Sequence, residues 1–537
     1  MKSIFSLLIV LMSAVSLLSA QTEVTITDSD LEGSQVYNWA STNTYLLEGI
    51  VVLEAGGTLN IEPGTVIKGK TLSNGGSALI IAQGAQIFAE GTSDNPIIFT
   101  SELDDVNNPD DLNMDDRGLW GGLIVLGSAP LASENGIDYV PGPFMPGSVI
   151  YGGDNVDDNS GVLTYLSIRH AGDEIAPGEE LNGLTLGGVG QQTVVEHIEV
   201  YACQDDGIEL HGGTVNLKYL SVSFCSDESF DWDLGWRGKG QFWLGVQDED
   251  SDRMGEHDGG QPDTAEPFSR PVISNVTYIG PGSDIEPSNV ALLFRDRSGG
   301  IYTNSIFTNF PDKAIQIEDL VDVPDSHDHI ETGNLLLRCN YWWNFGGGNT
   351  WNDLVALENS YEDSLGVAVI DHMNTNQNDF IDPQIVNIDP DPAVFDPRLT
   401  TGSPALTAAC PLDDSFFMPV NYIGAFGEED VWLQDWSGMA ANEFFAFLAT
   451  DTKEPEFVES QISVYPNPAK SVLTIELEQS PESFIIHNAA GKIISRQLVN
   501  HQSNRMTLNI ADYPAGLYWL SLNTGKQIVT KKFVVAK

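Results

Sequence analysis

One string of residues recurs at a fixed interval. His197-Ile198-Glu199-Val200-Tyr201-Ala202-Cys203 returns 22 residues later as Tyr219-Leu220-Ser221-Val222-Ser223-Phe224-Cys225, and Asp205 then aligns with Asp227 and Glu209 with Asp231. Matched residues at one offset are what a solenoid needs and what a two-layer sandwich does not. From about Tyr45 to Gly427 short apolar runs alternate with Gly, Asn, Asp and Pro, without sustained 3.6-residue periodicity. Short strands and tight turns follow from that pattern. Leu59-Asn60-Ile61 and Leu79-Ile80-Ile81 look like another copy twenty residues apart, with Ile67 and Ile87 at the same offset. The expectation is an all-β chain: a right-handed parallel β-helix over residues 45–430, after a cap at 21–44, with a β-sandwich as the alternative. Successive coils would lie about 4.8 Å apart, their inward side chains stacked in ladders.

On such a ladder Cys203 and Cys225 sit one above the other. Their spacing allows a Cys203–Cys225 disulfide, and equally two buried free thiols. Cys339 and Cys410 are not pairable from sequence, and the lack of any C-x-x-C leaves no zinc motif.

Charge separates the chain into two parts. Of 24 Lys+Arg and 77 Asp+Glu, eight and four lie from Gln461 onward, leaving 16 basic and 73 acidic residues before it. A surface that acidic repels nucleic acid and anionic membrane, and attracts divalent cations. Met1-Lys2, the apolar run Ile4 to Leu18 and the small pair Ser19-Ala20 read as a signal peptide over residues 1–20. No later stretch reaches the roughly 18 apolar residues of a transmembrane span, and a monomer is expected.

Val464-Tyr465-Pro466-Asn467-Pro468-Ala469, the alternating strands after it and Ala515-Gly516-Leu517-Tyr518-Trp519-Leu520 resemble the C-terminal sorting domain of the type IX secretion system. That resemblance implies a small Ig-like β-sandwich at 461–537 behind a linker at 431–460. It also implies the type IX machinery as partner and a secreted or outer-membrane cell-surface location. Gly64-Thr65-Val66-Ile67-Lys68-Gly69, Asn95-Pro96-Ile97-Ile98-Phe99-Thr100, Trp120-Gly121-Gly122-Leu123 and Gly238-Lys239-Gly240-Gln241-Phe242-Trp243 resemble a group of secreted β-helix proteins. This second resemblance implies fold and location, and no activity.

Three clusters are candidate sites. Asp205, Asp206, Glu209 and His211, stacked near Asp227, Glu228 and Asp231, offer paired carboxylates for acid–base cleavage of a glycosidic bond. The other reading is turn-forming Asp and Gly at coil corners, where their side chains satisfy backbone groups. An acidic insert near 245–270, with Asp248, Asp250, Asp252 and Asp258, suits calcium, although Arg253 and Gly259 break the EF-hand pattern. Trp232, Trp236 and Trp243, with Trp342 and Trp343, are candidates for stacking on sugar rings, or for packing the insert onto the coil. Arg295 and Arg297 are the one basic pair a pectate-lyase-type mechanism could use. The expected function is a surface-displayed module that binds polysaccharide or adheres, with structural calcium; the alternative is a polysaccharide-degrading enzyme.

Overall fold

The computed structural model describes the chain from Gln21 onward, apart from residues 73–75, 141–148, 177–178, 286–289, 322, 359–365, 447, 449–461, 478–482, 489–492, 499–504, 512 and 524–527. The expected signal peptide lies outside the described residues. Two compact units, 1–448 and 449–537, are each described by themselves.

The first unit is a parallel β-helix. One face is a ten-stranded parallel sheet with one strand per coil: Ile50–Leu53, Ala78–Ile81, Gly122–Leu126, Leu184–Gly187, Ile208–His211, Phe230–Asp233, Gly255–Asp258, Leu292–Arg295, Ile315–Glu318 and Val355–Glu358. The other two faces merge into a 17-stranded sheet, because the mid-helix strands run through both. Gly161–Arg169, for example, pairs with Gln86–Glu90 through its first half and with Ile97–Ser101 through its second. The fold between the two halves is one left-handed residue per coil: Tyr165, His197, Tyr219, Phe242 and Asn275, with φ between 52° and 60°. That conformation is costly for a residue with a Cβ. Stacking offsets the cost, with ring centroids 4.2, 4.4 and 5.0 Å apart along Tyr165, His197, Tyr219 and Phe242. Farther on Asn takes the position, being the non-glycine residue that best tolerates it.

The 22-residue register is present residue for residue: Ile198 faces Leu220, Val200 faces Val222 and Glu209 faces Asp231. The twenty-residue match is not a register. Leu59 faces Ile87, and Leu79 faces Val51 on a different sheet. The early coils carry similar apolar strings on more than one face, as in Ile50–Leu53, Thr58–Ile61 and Ala78–Ile81, so strings from different faces mimic a repeat. The segment 21–44 is itself coil: Thr22–Ile26 pairs with Asn43–Leu47, and Val36–Trp39 with Thr58–Ile61.

Inside, ladders of Val, Ile and Leu fill the coil, and indoles join them. Trp232, Trp236, Trp243 and Trp342 are fully buried. As sugar-stacking residues they are therefore corrected: a ring without exposed surface cannot stack on a solvent-borne ligand. Trp343 alone of the five is exposed, at 41%. Room for the indoles comes from glycine. A Cβ on Gly240 would lie 2.3 Å from the Trp243 ring. His257, also buried, stacks on Trp232 at 3.4 Å.

The Cys203–Cys225 disulfide is likewise corrected. Both are free, buried thiols within the apolar core. Residues stacked one coil apart keep the sheet spacing between their Cβ atoms, wider than the roughly 3.8 Å of a disulfide. The disulfide is Cys339–Cys410, with Cα atoms 6.2 Å apart.

Beyond the last coils the chain turns back along the helix. Gln241 hydrogen-bonds both backbone groups of Met418, and Asn304 both backbone groups of Cys410. Residues 431–446, expected within a linker, instead pack on the bent-strand face: Val431, Leu433, Trp436, Met439, Phe444 and Phe445 are buried against Tyr201, Phe224 and Leu244. The second unit holds two antiparallel sheets. Ile462–Tyr465, Val472–Leu477 and Arg505–Asn509 form one; Ser483–Asn488, Ile493–Leu498, Gly516–Asn523 and Ile528–Val535 form the other. Leu473, Ile475, Phe484, Ile486, Leu520 and Phe533 share its core, a small sandwich.

Candidate functional site

Alternation along each strand of the ten-stranded sheet sends Ile208 and Leu210 inward, which turns Glu209 and His211 outward. In register with them stand Thr185, Asp231 and Glu256 beside Glu209, and Asp233 beside His211. The turn before each strand adds a second row. Gly183 N–H donates to Asp206 O at 2.9 Å, Gly207 N–H to Glu228 O at 2.9 Å, and Ser229 N–H to Arg253 O at 3.2 Å, so Asp206, Glu228 and Arg253 succeed one another coil by coil. The two rows floor a cleft of about 380 Å³. Ile124, Val140, Tyr151 and Leu181 supply its apolar wall.

The carboxylates crowd into three overlapping sets: Asp205, Asp206 and Asp227; Asp206, Glu209 and Asp231; and Asp227, Glu228 and Asp252. Within each set one oxygen per residue lies within 4.8 Å of the others. Few cations answer them. His211 Nε2 meets Glu209 at 2.8 Å. Arg253 reaches Glu228 at 2.9 Å, Glu256 at 3.0 Å and Asp252 at 3.2 Å. Asn182 donates to Glu209 and, at 3.1 Å, to Thr185 Oγ1; Asp206 Oδ1 accepts from Glu228 N–H at 3.0 Å. Among the described residues Asp231 Oδ1 is buried without a hydrogen-bond partner.

Burial and mutual repulsion keep Asp205, Asp206, Glu228 and Asp231 protonated well above the usual carboxylate range. Burial, with the charges of Glu209 and Asp227, raises Asp205 to about 7. Burial and its bond with Asp227 lift Glu228 to about 9. Asp206 and Asp231 are raised, again chiefly by burial and then by neighbouring carboxylates. For His211 burial acts downward, but the charge and hydrogen bond of Glu209 outweigh it and lift the imidazole to about 9. The floor therefore combines acids that hold protons near neutrality with an imidazolium.

Asp205, Asp206, Glu209 and His211 thus line one cleft with Asp227, Glu228 and Asp231. The acidic insert does not form a single site, which corrects the grouping of Asp248, Asp250, Asp252 and Asp258. Asp248 pairs with Arg117, whose guanidinium is also 3.9 Å from Asp250. Asp258 sits on a strand and pairs with Arg295 at 2.9 Å. Asp252 alone joins the cleft cluster. The parallel winding continues through this stretch at longer offsets, Phe230 facing Gly255 and Lys239 facing Val272, so its acids belong to successive corners and strands and not to one loop. Arg295 and Arg297 are both engaged, by Asp258 and Glu256 and by Glu266. Sequence reasoning missed Asn182, Thr185 and Tyr151, which come from other coils and an excursion after the third strand of the sheet. Register would have found Thr185 through its pairing with Glu209; nothing local marks Tyr151.

A family model described as "Pectate-lyase like beta helix domain" matches residues 32–337, and one described as "Secretion system C-terminal sorting domain" matches residues 463–536. No curated protein matches the chain. Among solved structures, full-length tailspike protein 2 from Escherichia coli O157:H7 bacteriophage CAB120 is similar at 9% identity, over 93% of this chain and 64% of that one. The TM-score of 0.20 is too low to carry an argument. Among the described residues no helix is long and apolar enough to cross a membrane. With a matched β-helix over more than half its length and a matched sorting module behind it, the chain belongs to the pectate-lyase-like β-helix family and is carried by type IX secretion to the cell surface or beyond.

Proposed function

We propose that the acidic cleft binds a glycan and that Ca²⁺ is held among its carboxylates. One observation carries the reading: three interlocked sets of carboxylates share the cleft, with oxygens no more than 4.8 Å apart. Two oxygens on one Ca²⁺ at about 2.4 Å lie at most about 4.8 Å apart, so each set is compact enough for a single ion. Asp206 and Asp227, each common to two sets, are the bridging residues. Ions there would cancel the repulsion that now favours protonation, and the apolar wall suits the C–H face of a sugar ring. Thermal melting with Ca²⁺ and with a chelator tests the ion: the midpoint rises with Ca²⁺, and an unchanged midpoint removes calcium from the account. A glycan array probed with and without Ca²⁺ tests the ligand. Retention should depend on Ca²⁺ and vanish in Asp206→Ala.

A second reading, cleavage of the polysaccharide, is favoured by the separation of Asp205 at about 7 from Glu228 at about 9. Carboxyls held at different protonation states divide the acid and base roles. Reducing ends or unsaturated products from a polysaccharide panel, absent with Asp206→Ala, would establish it; retention without turnover leaves binding alone.

A further inference from the structure

Another cavity, of about 160 Å³ and with none of the acidic cleft's lining residues, lies between the loop at 104–112 and the short helix at 438–441. At its floor stands Arg169, the last residue of the strand Gly161–Arg169 and only 4% exposed. Its Nε donates to Ser167 Oγ at 2.8 Å. Among the described residues its two terminal amino groups have no hydrogen-bond or ion-pair partner, and neither is sealed from open space, which leaves them facing the cavity. Ser167 Oγ in turn donates to the buried Glu199 carboxylate at 2.7 Å, which offsets the charge, but two terminal amino groups without acceptors are still costly in a buried guanidinium. The rim carries Asp105 and Asp111 with Asn107 and Asn442, and the buried Asp104, which accepts from Thr100 Oγ1 at 2.6 Å, also lines the cavity.

We infer that this cavity binds a neutral polyhydroxylated ligand, a single sugar ring or the end of a glycan chain. The charges select it by exclusion. An anion drawn to Arg169 meets three carboxylates lining the cavity, and a cation drawn to those carboxylates meets the guanidinium on the floor. A hydroxyl answers both, accepting from the guanidinium while donating to a carboxylate, and the asparagine amides do either. Size agrees, because the volume lies below the roughly 300 Å³ where pockets for drug-sized ligands begin. The site shares no residue with the acidic cleft, so it stands or falls independently of the glycan reading given above.

Titration of the secreted full chain with glucose, galactose, mannose and fucose, followed by protein-detected NMR, tests it, with galacturonate and glucosamine as charged counterparts. At least one neutral sugar should bind saturably, the charged analogues more weakly. Asp105→Ala, on an exposed rim residue, should weaken binding by about tenfold with an unchanged melting midpoint, the equivalent of one lost hydrogen bond. Arg169→Gln should abolish it, and Asp206→Ala should leave it intact. No binding by any neutral sugar overturns the inference. So does tighter binding of a charged analogue, indifference to Asp105→Ala, or loss in Asp206→Ala.

Discussion

Glu199 is fully buried, and both its oxygens are engaged: one accepts from Met439 N–H at 3.0 Å, the other from Ser167 Oγ at 2.7 Å and from Gly438 N–H. Its removal strands buried N–H groups at about 1–3 kcal/mol each. Glu199→Ala should therefore lower the melting midpoint and strip hydrogen-exchange protection from residues 437–441, while Glu199→Gln retains part of both. The repeat placed this residue on a strand, yet gave no reason for a carboxylate there, because its partners arrive some 240 residues later. The cleft acids predict a pH dependence. Asp205 and Glu228 titrate at about 7 and 9, against roughly 4 when unfolded, chiefly because burial disfavours their charged forms. Between those values the folded chain binds more protons than the unfolded one, so stability falls as pH rises. His211, at about 9 against roughly 6.5 unfolded, pushes the same way over its own window. Metal-free protein should melt progressively lower from pH 5 to pH 9, and Ca²⁺ should flatten or reverse that slope by replacing the protons. A midpoint that climbs with pH in chelator would contradict the protonated cleft.

At the scale of the coil, glycine and tryptophan form one packing unit. Gly240→Ala puts a methyl 2.3 Å from the Trp243 ring and should cost about 1–3 kcal/mol in denaturant unfolding, the usual range for overpacking. An alanine tolerated there without loss would show that the indole is free to move aside. The thiol ladder gives a chemical check: a thiol reagent should titrate two cysteines in denaturant and none in the native protein, with Cys339 and Cys410 held in their disulfide. These elements were unevenly legible. The register of Ile198 on Leu220 was readable because stacked residues must share chemistry. The buried indoles were not, since interior preference argues for Val, Ile and Leu, and the space that admits Trp243 is made by a residue with no side chain.

Across the whole molecule the division into two units coincides with the change of charge near residue 461. A chain ending at residue 448 should melt at the same midpoint as the first unit of the full protein, and should accumulate in the periplasm instead of the medium. Loss of cooperative melting in that truncation would mean that the β-helix depends on its sorting module. By itself the sequence determined the period, hence the parallel winding and the face on which Glu209 and Asp231 align, and it determined the destination through the terminal module. Both are local matters: a repeat is one-dimensional, and a sorting module is one contiguous stretch. Only the tertiary structure decided that Cys410 closes on Cys339, that residues 431–446 lie on the coil, and that Tyr151 and Asn182 wall the cleft. Those meetings join segments with no common period, so they depend on how far the chain travels between coils and where it turns back.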